Sequence, residues 1–196
     1  LGEGGLATSW LAYDQERHLD VVLKQLHSDD FADAARLEFG WANKIRVARC
    51  ARVWDIQTSH SPKYLVLEYI EGEALRERIR RAPLTVDSAR FLAASALDIL
   101  QELHSADFTH GDVSGGNILV DEDWRPSLID FGLAAAPGGK SRGGTPATMA
   151  PELFEGSRVT PQSDMYSLAC TLLTSMLGRL PYVGPGPGAD RDPSPP

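Results

Sequence analysis

The hydrophobic pattern of this chain changes period once, near Pro83, and that change constrains the fold more than any single motif. Upstream, the apolar runs are short and β-branched. Val21-Val22-Leu23-Lys24-Gln25-Leu26 and Tyr64-Leu65-Val66-Leu67-Glu68-Tyr69 read as two buried strands. Helix formers and charges between Ala32 and Ala48 predict one helix there. Glu71-Gly72 breaks the chain and reads as the connection to a second part. Downstream, the spacing turns helical. Thr85 is placed to cap a helix, Asp87 favours its first turn, and Ala89, Leu92, Ala96, Leu100 and Leu103 follow on one face. A second helix is predicted from about Asp164 to Leu177, stopped by Gly178 and Pro181, with Met165, Leu168, Leu172 and Met176 on a wide apolar face. The expectation is an α+β chain with a small strand-rich part and a mainly helical part.

Between the two helices, residues 109–152 are loop-rich, with short strands expected at 118–120 and 127–129. Loops held on rigid supports are where chemistry concentrates. From Gly184 the chain is rich in Pro and Gly and is expected to be disordered. It begins at Leu1 inside a glycine-rich stretch, so further residues are expected upstream.

Composition excludes some functions. The 196 residues carry a formal charge of -8, which argues against broad binding to nucleic acid or an anionic membrane. The basic cluster Arg76, Arg78, Arg80 and Arg81 is interleaved with glutamates and reads as a solvated helix face. Cys50 and Cys170 lack metal-ligand spacing and fit buried thiols in a reducing cytoplasm. No apolar run reaches the length of a membrane span.

Four segments carry candidate chemistry. Leu1-Gly2-Glu3-Gly4-Gly5-Leu6-Ala7 is glycine-rich, a pattern that an ordinary hairpin turn also explains. Lys24 interrupts an apolar strand; a surface lysine is the simple reading, a lysine paired with phosphate and with the Glu38 carboxylate the sharper one. In His110-Gly111-Asp112-Val113-Ser114-Gly115-Gly116-Asn117, an acid and an amide lie five positions apart on a tight loop. The acid suits a hydroxyl proton and the amide oxygen suits Mg²⁺. Asp130-Phe131-Gly132 follows a strand and offers a second carboxylate.

Taken in this order, the segments resemble the protein-kinase superfamily, and the likeness extends from residue 1 to about 182. It includes Ala150-Pro151-Glu152 within Gly144-Thr145-Pro146-Ala147-Thr148-Met149, and Ser163-Asp164-Met165-Tyr166 at the second helix. The resemblance implies a bilobal fold, with an N-lobe at 1–70, a C-lobe at 71–183 lacking its last helices, and a tail at 184–196. It implies ATP and Mg²⁺ as cofactors, a protein substrate, and regulatory domains outside the fragment. Leu1, Gly2, Gly4, Lys24, Glu68, Ile70, Leu119 and Asp130 would hold the nucleotide, with Leu67 as gatekeeper. Glu38 would pair with Lys24, Asp112 would be the base, Asn117 and Asp130 would hold the metal, and Asp164 would brace the catalytic loop.

The departures matter as much. Ala7 stands at the third glycine of the phosphate loop. Gly111 replaces the arginine that receives an activation-loop phosphate, and residues 137–143 look featureless, so activation by that latch is not expected. Ser114 replaces the lysine that serine/threonine kinases aim at the transferring phosphate. The His-Gly-Asp loop also resembles aminoglycoside phosphotransferases, choline kinases and the kinase-like domains of lanthipeptide synthetases. Serine/threonine protein kinase is the favoured reading, on Thr145 and the Ala-Pro-Glu segment; a small-molecule or peptide-modifying kinase and a non-catalytic scaffold remain as alternatives.

Overall fold

The computed structural model describes residues 1–3, 7–28, 36, 39–40, 43–59 and 61–180. Five antiparallel strands form the first sheet: β1 (Gly2–Glu3), β2 (Ala7–Asp14), β3 (Leu19–Leu26), β4 (Val53–Gln57) and β5 (Tyr64–Glu68), in the order β1-β2-β3-β5-β4. β3 is central, so its β-branched run is paired on both sides, with Ser9 opposite Lys24 on one and Leu65 opposite Lys24 on the other. Val22 lies opposite Leu67, which is buried. A register shift between Val53 and Asp55 bends β4 at the sheet edge.

Past β5 the chain crosses to a second sheet of β6 (Glu73–Ala74), β7 (Ile118–Val120) and β8 (Pro126–Leu128), and to α1 (Leu75–Arg81), α2 (Val86–Ser105), α3 (Pro151–Phe154) and α4 (Pro161–Leu177). Thr85 caps α2 as expected, its side chain accepting from the Ser88 amide. α4 starts three residues earlier than predicted. Thr160 and Ser163 form a reciprocal capping box there, and Pro161 supplies a pre-set φ at the first helical position.

One expectation is corrected. The helix predicted to reach Ala48 does not: residues 43–50 form turns and irregular chain, anchored where the Ala51 amide donates to the Leu128 carbonyl. Most of the remaining span of that predicted helix, Glu38 included, lies outside the described residues, as do Gly4 and the 184–196 tail.

α4 packs through part of its apolar face, with Leu168 in the core and Leu172 against it, and through its small residues. Ser163, Asp164, Ser167, Leu168, Cys170, Thr171 and Ser175 are buried, whereas Met165, Leu173, Met176 and Leu177 are each at least 37% exposed. Small residues let α4 approach its neighbours closely. The hydroxyls of Ser167, Thr171 and Ser175 donate to carbonyls one turn back at 2.7–2.9 Å, so they arrive in the interior already satisfied.

A continuous core joins the first sheet to the helices. Leu65, Leu75, Leu92, Leu100, Leu103, Ile118, Leu128 and Phe131 are fully or almost fully buried within it. That core holds the 110–132 loops between sheet and helices. No described helix is long and apolar enough to cross a membrane.

Candidate active site

The site is organised by one buried carboxylate. Asp164, on the first turn of α4, is 1% exposed. Its Oδ2 accepts from the His110 amide at 2.8 Å and lies 2.9 Å from His104 Nε2; its Oδ1 accepts from the Gly111 amide at 2.9 Å. A carboxylate facing consecutive amides fixes the loop in position and orientation. The brace anticipated at Asp164 is present, and His104, at the last turn of α2, is a partner that the sequence reading missed.

The loop is tied on its other side through His110, which is completely buried. Its Nδ1 accepts from the Asp112 amide at 3.2 Å and its Nε2 lies 3.1 Å from the Ile129 carbonyl. Contacts on both ring nitrogens fix the orientation of the ring. The same ring packs tilted against Phe131, with centroids 4.8 Å apart at 50°, which joins the loop to the Asp130-Phe131-Gly132 segment.

Asp112 is thereby held with both oxygens in use. Oδ1 accepts from the Thr145 amide at 2.7 Å, and Oδ2 accepts from Asn117 Nδ2 at 2.8 Å. Asn117 also donates Nδ2 to the Asp112 carbonyl at 3.0 Å. Both amide hydrogens are thus committed to Asp112, and the Asn117 Oδ1 faces away from it as an acceptor.

Asp130 sits at φ +63°, a left-handed conformation that Asp tolerates better than most residues and that recurs at functional sites. Its Oδ1 accepts from Lys24 Nζ at 2.9 Å and from the Gly132 amide at 3.2 Å. Burial pushes the Asp130 carboxyl upward, but the charge and hydrogen bond of Lys24, the Gly132 amide and His110 outweigh it, and the group is held below its ordinary value. Its side chain remains 44% exposed, so the ionised carboxylate still opens to the cleft. The carboxylate that Lys24 meets among the described residues is Asp130; the expected partner, Glu38, lies outside them.

The other nucleotide-holding candidates lie on the first sheet, the crossing segment and β7. Leu119 is half-buried between the buried Ile118 and Val120, so it faces away from the core that they enter. Glu68 closes β5, its amide donating to the Arg52 carbonyl, and Ile70 follows in the crossing segment. Leu1 is 71% exposed just ahead of β1, and Gly2 pairs opposite Ser9.

Gly111 has a local explanation that the sequence did not reveal. Its φ is +81°, and a Cβ there would stand 2.6 Å from the Leu133 carbonyl oxygen. No side chain fits this backbone without displacement, so the position excludes arginine sterically. The 137–143 segment is likewise less featureless than its sequence. The Gly138 amide donates to the Val159 carbonyl at 2.8 Å, the Val159 amide donates to the Gly139 carbonyl at 2.9 Å, Arg158 donates to the Gly138 carbonyl, and Arg142 donates to the Ala134 carbonyl at 2.9 Å.

The basic cluster is not a simple solvated face either. Arg78 donates to the carbonyls of Asp121 and Glu122 and lies 4.0 Å over the Trp124 ring. Arg76 lies against the catalytic loop: its amide donates to the Gly115 carbonyl at 2.8 Å.

An acid and an amide paired on one loop, a lysine–carboxylate pair at the neighbouring segment, and a helix carboxylate bracing the loop form a candidate kinase-type site. The protein-kinase-domain family model matches residues 1–189, and the chain belongs to that family. Among curated proteins it is 29% identical to a probable serine/threonine-protein kinase, pknA2, of Bifidobacterium longum, over 95% of this chain and 27% of that protein. It is 30% identical to the serine/threonine-protein kinase PknB of Mycolicibacterium smegmatis, over 96% of this chain and 33% of that protein. The same identity is found with PknB of Mycobacterium tuberculosis, over 95% and 33%. The chain therefore spans about a third or less of the length of the relatives it matches.

Proposed function

We propose that this chain binds ATP with Mg²⁺ and transfers the terminal phosphoryl group to serine or threonine hydroxyls of protein substrates. The observation that carries the reading is the pair Lys24–Asp130 at 2.9 Å, reaching from β3, beside the pair Asn117–Asp112 at 2.8 Å on the loop that Asp164 braces. A scaffold has no physical need for that combination. The names of the relatives support the acceptor class.

The residues fit the metal. Among the described residues no three His, Cys, Asp or Glu side chains gather as a metal cage. Mg²⁺ does not require one: it takes a carboxylate or two and completes its shell with phosphate oxygens and water. Asp130, kept ionised, and the outward Oδ1 of Asn117 would hold it, and when bound it neutralises charge on the phosphates.

Lys24 holds the nucleotide's phosphates by charge and keeps Asp130 ionised. Leu1, Gly2, Glu68, Ile70 and Leu119 bound the nucleotide. Asp112 orients the acceptor: each of its oxygens uses one acceptor site on Thr145 or Asn117 and retains another for the incoming hydroxyl, whose proton it takes. Asp164 and His110 keep Asp112 in place. Because positioning supplies most of the acceleration in phosphoryl transfer, this rigidity is itself part of the catalysis.

Transfer of labelled γ-phosphate from ATP to serine- and threonine-containing proteins, run beside an aminoglycoside and choline panel, tests the reading. Label in protein, absent with Asp112→Asn, is expected. Label in the small alcohols alone would overturn it.

A further inference from the structure

Gly115 and Gly116 leave the outer side of the catalytic loop without side chains, and Arg76 of α1 fills the space. A methyl group built on Gly116 would stand 3.1 Å from Arg76 Nη1 and 3.7 Å from Ser114 Oγ; one on Gly115 would stand 3.2 Å from the Arg76 Cβ. The Arg76 amide donates to the Gly115 carbonyl, so α1 and the loop are fixed to each other. The Arg76 side chain is nevertheless 63% exposed. Arg80, four residues on and 71% exposed, shares its face of α1, and one carboxylate, Glu77, serves both: 3.1 Å from Arg76 Nε and 2.7 Å from Arg80 Nη1. Two cations against one anion leave a local positive charge on a chain whose net charge is -8.

We infer that Arg76 is a specificity-determining residue that selects acceptor peptides carrying an acidic side chain near the phosphorylated hydroxyl. The inference rests on the kinase reading above. An acceptor approaching Asp112 passes the Ser114–Gly116 edge, where it meets the Arg76 guanidinium and no competing loop side chain. Arginine binds a carboxylate with two parallel N–H donors, which gives direction as well as charge. Basic side chains meet repulsion at the same place, so the selection works in both directions.

The test uses the chain with Mg²⁺ and a non-hydrolysable ATP analogue, and fluorescence anisotropy of three labelled serine peptides whose flanking residues are aspartate, alanine or lysine. Phosphate transfer from ATP is measured in parallel on the same peptides. The aspartate peptide should bind about tenfold more tightly than the alanine peptide, the size of one charge-assisted contact. Arg76→Gln should bring that ratio to about one, and Arg76→Lys should retain part of it. Glu77→Gln, which removes the competing carboxylate, should raise it. Equal binding of all three peptides, or an unchanged ratio in Arg76→Gln, overturns the inference. So does an Arg76→Gln variant that loses affinity for the ATP analogue while keeping the peptide ratio, because Arg76 would then serve the phosphates. An acidic preference without transfer would sink the kinase reading and leave this site standing; transfer without preference would do the reverse.

Discussion

Replacing Asp164 by alanine removes the one group that holds the His110 and Gly111 amides. Both amides are left facing a cavity in the interior, at a residue 1% exposed, and His104 loses its partner. An unsatisfied buried donor costs about 1–3 kcal/mol, so two amides set a destabilisation of about 2–6 kcal/mol. In a chain of this size each kcal/mol moves the melting temperature by about 2–4 °C, so Asp164→Ala should melt about 5–15 °C below wild type. Asp164→Asn keeps one acceptor oxygen but turns an N–H toward the other donor, and should fall between the two. Activity should drop further than stability explains, because Asp112 sits on the loop that Asp164 braces. The assay is thermal unfolding beside kcat measured well below the melting point of every variant. A Tm within about 1 °C of wild type, or a normal kcat at a temperature where Asp164→Ala is fully folded, would refute the reasoning.

Arginine at position 111 should not restore an activation-loop latch. Gly111→Arg forces a Cβ to 2.6 Å from the Leu133 carbonyl oxygen at positive φ, and should cost about 2 kcal/mol or more by denaturant unfolding; a neutral effect would show that the loop relaxes freely. Ser141→Ala should keep near-full activity, since that side chain has only 3.5 Å contacts with Gly143; a large loss, rescued by Ser141→Asp, would contradict this. Acid should act through Lys24 and Asp130. A carboxyl held below its ordinary value stabilises the fold above about pH 4 and loses that contribution as pH falls through its lowered folded value. Lys24→Met should therefore flatten the acid limb of the stability curve, and an unchanged limb would count against the pair. Burial, with Glu102 adding to it, pushes the Cys50 thiol up to about 12, so the native thiol should resist alkylation at pH 8 until the chain unfolds; rapid native labelling of Cys50 would show that it is not enclosed.

Residues whose role is set by order along the chain were legible in the sequence. Asp112, Asn117 and Asp130 follow short strands and tight loops at spacings that few other architectures require, and Asp164 opens a helix with a clear period. What was hidden depends on which face meets which. The apolar spacing of α4 does not show that serines and threonines satisfied by their own backbone pack inward beside Leu168. Gly111 reads in sequence as a lost arginine; only the Leu133 carbonyl shows that the backbone excludes any side chain. His104 and Arg76 carry no local signal, since each acquires its role from a residue far along the chain, Asp164 in one case and Gly116 in the other. β4 was missed because its alternation is broken where its register shifts.

The central claim is that Asp112 acts on the acceptor while Lys24, Asn117 and Asp130 hold the nucleotide and its metal. The direct measurement is single-turnover transfer from saturating ATP and Mg²⁺ to a serine peptide, with ATP affinity measured on the same samples. Asp112→Asn should bind ATP with Mg²⁺ within about twofold of wild type yet transfer phosphate about a hundredfold or more slowly, the scale of a lost general base. Transfer by Asp112→Asn at the wild-type rate would contradict the account.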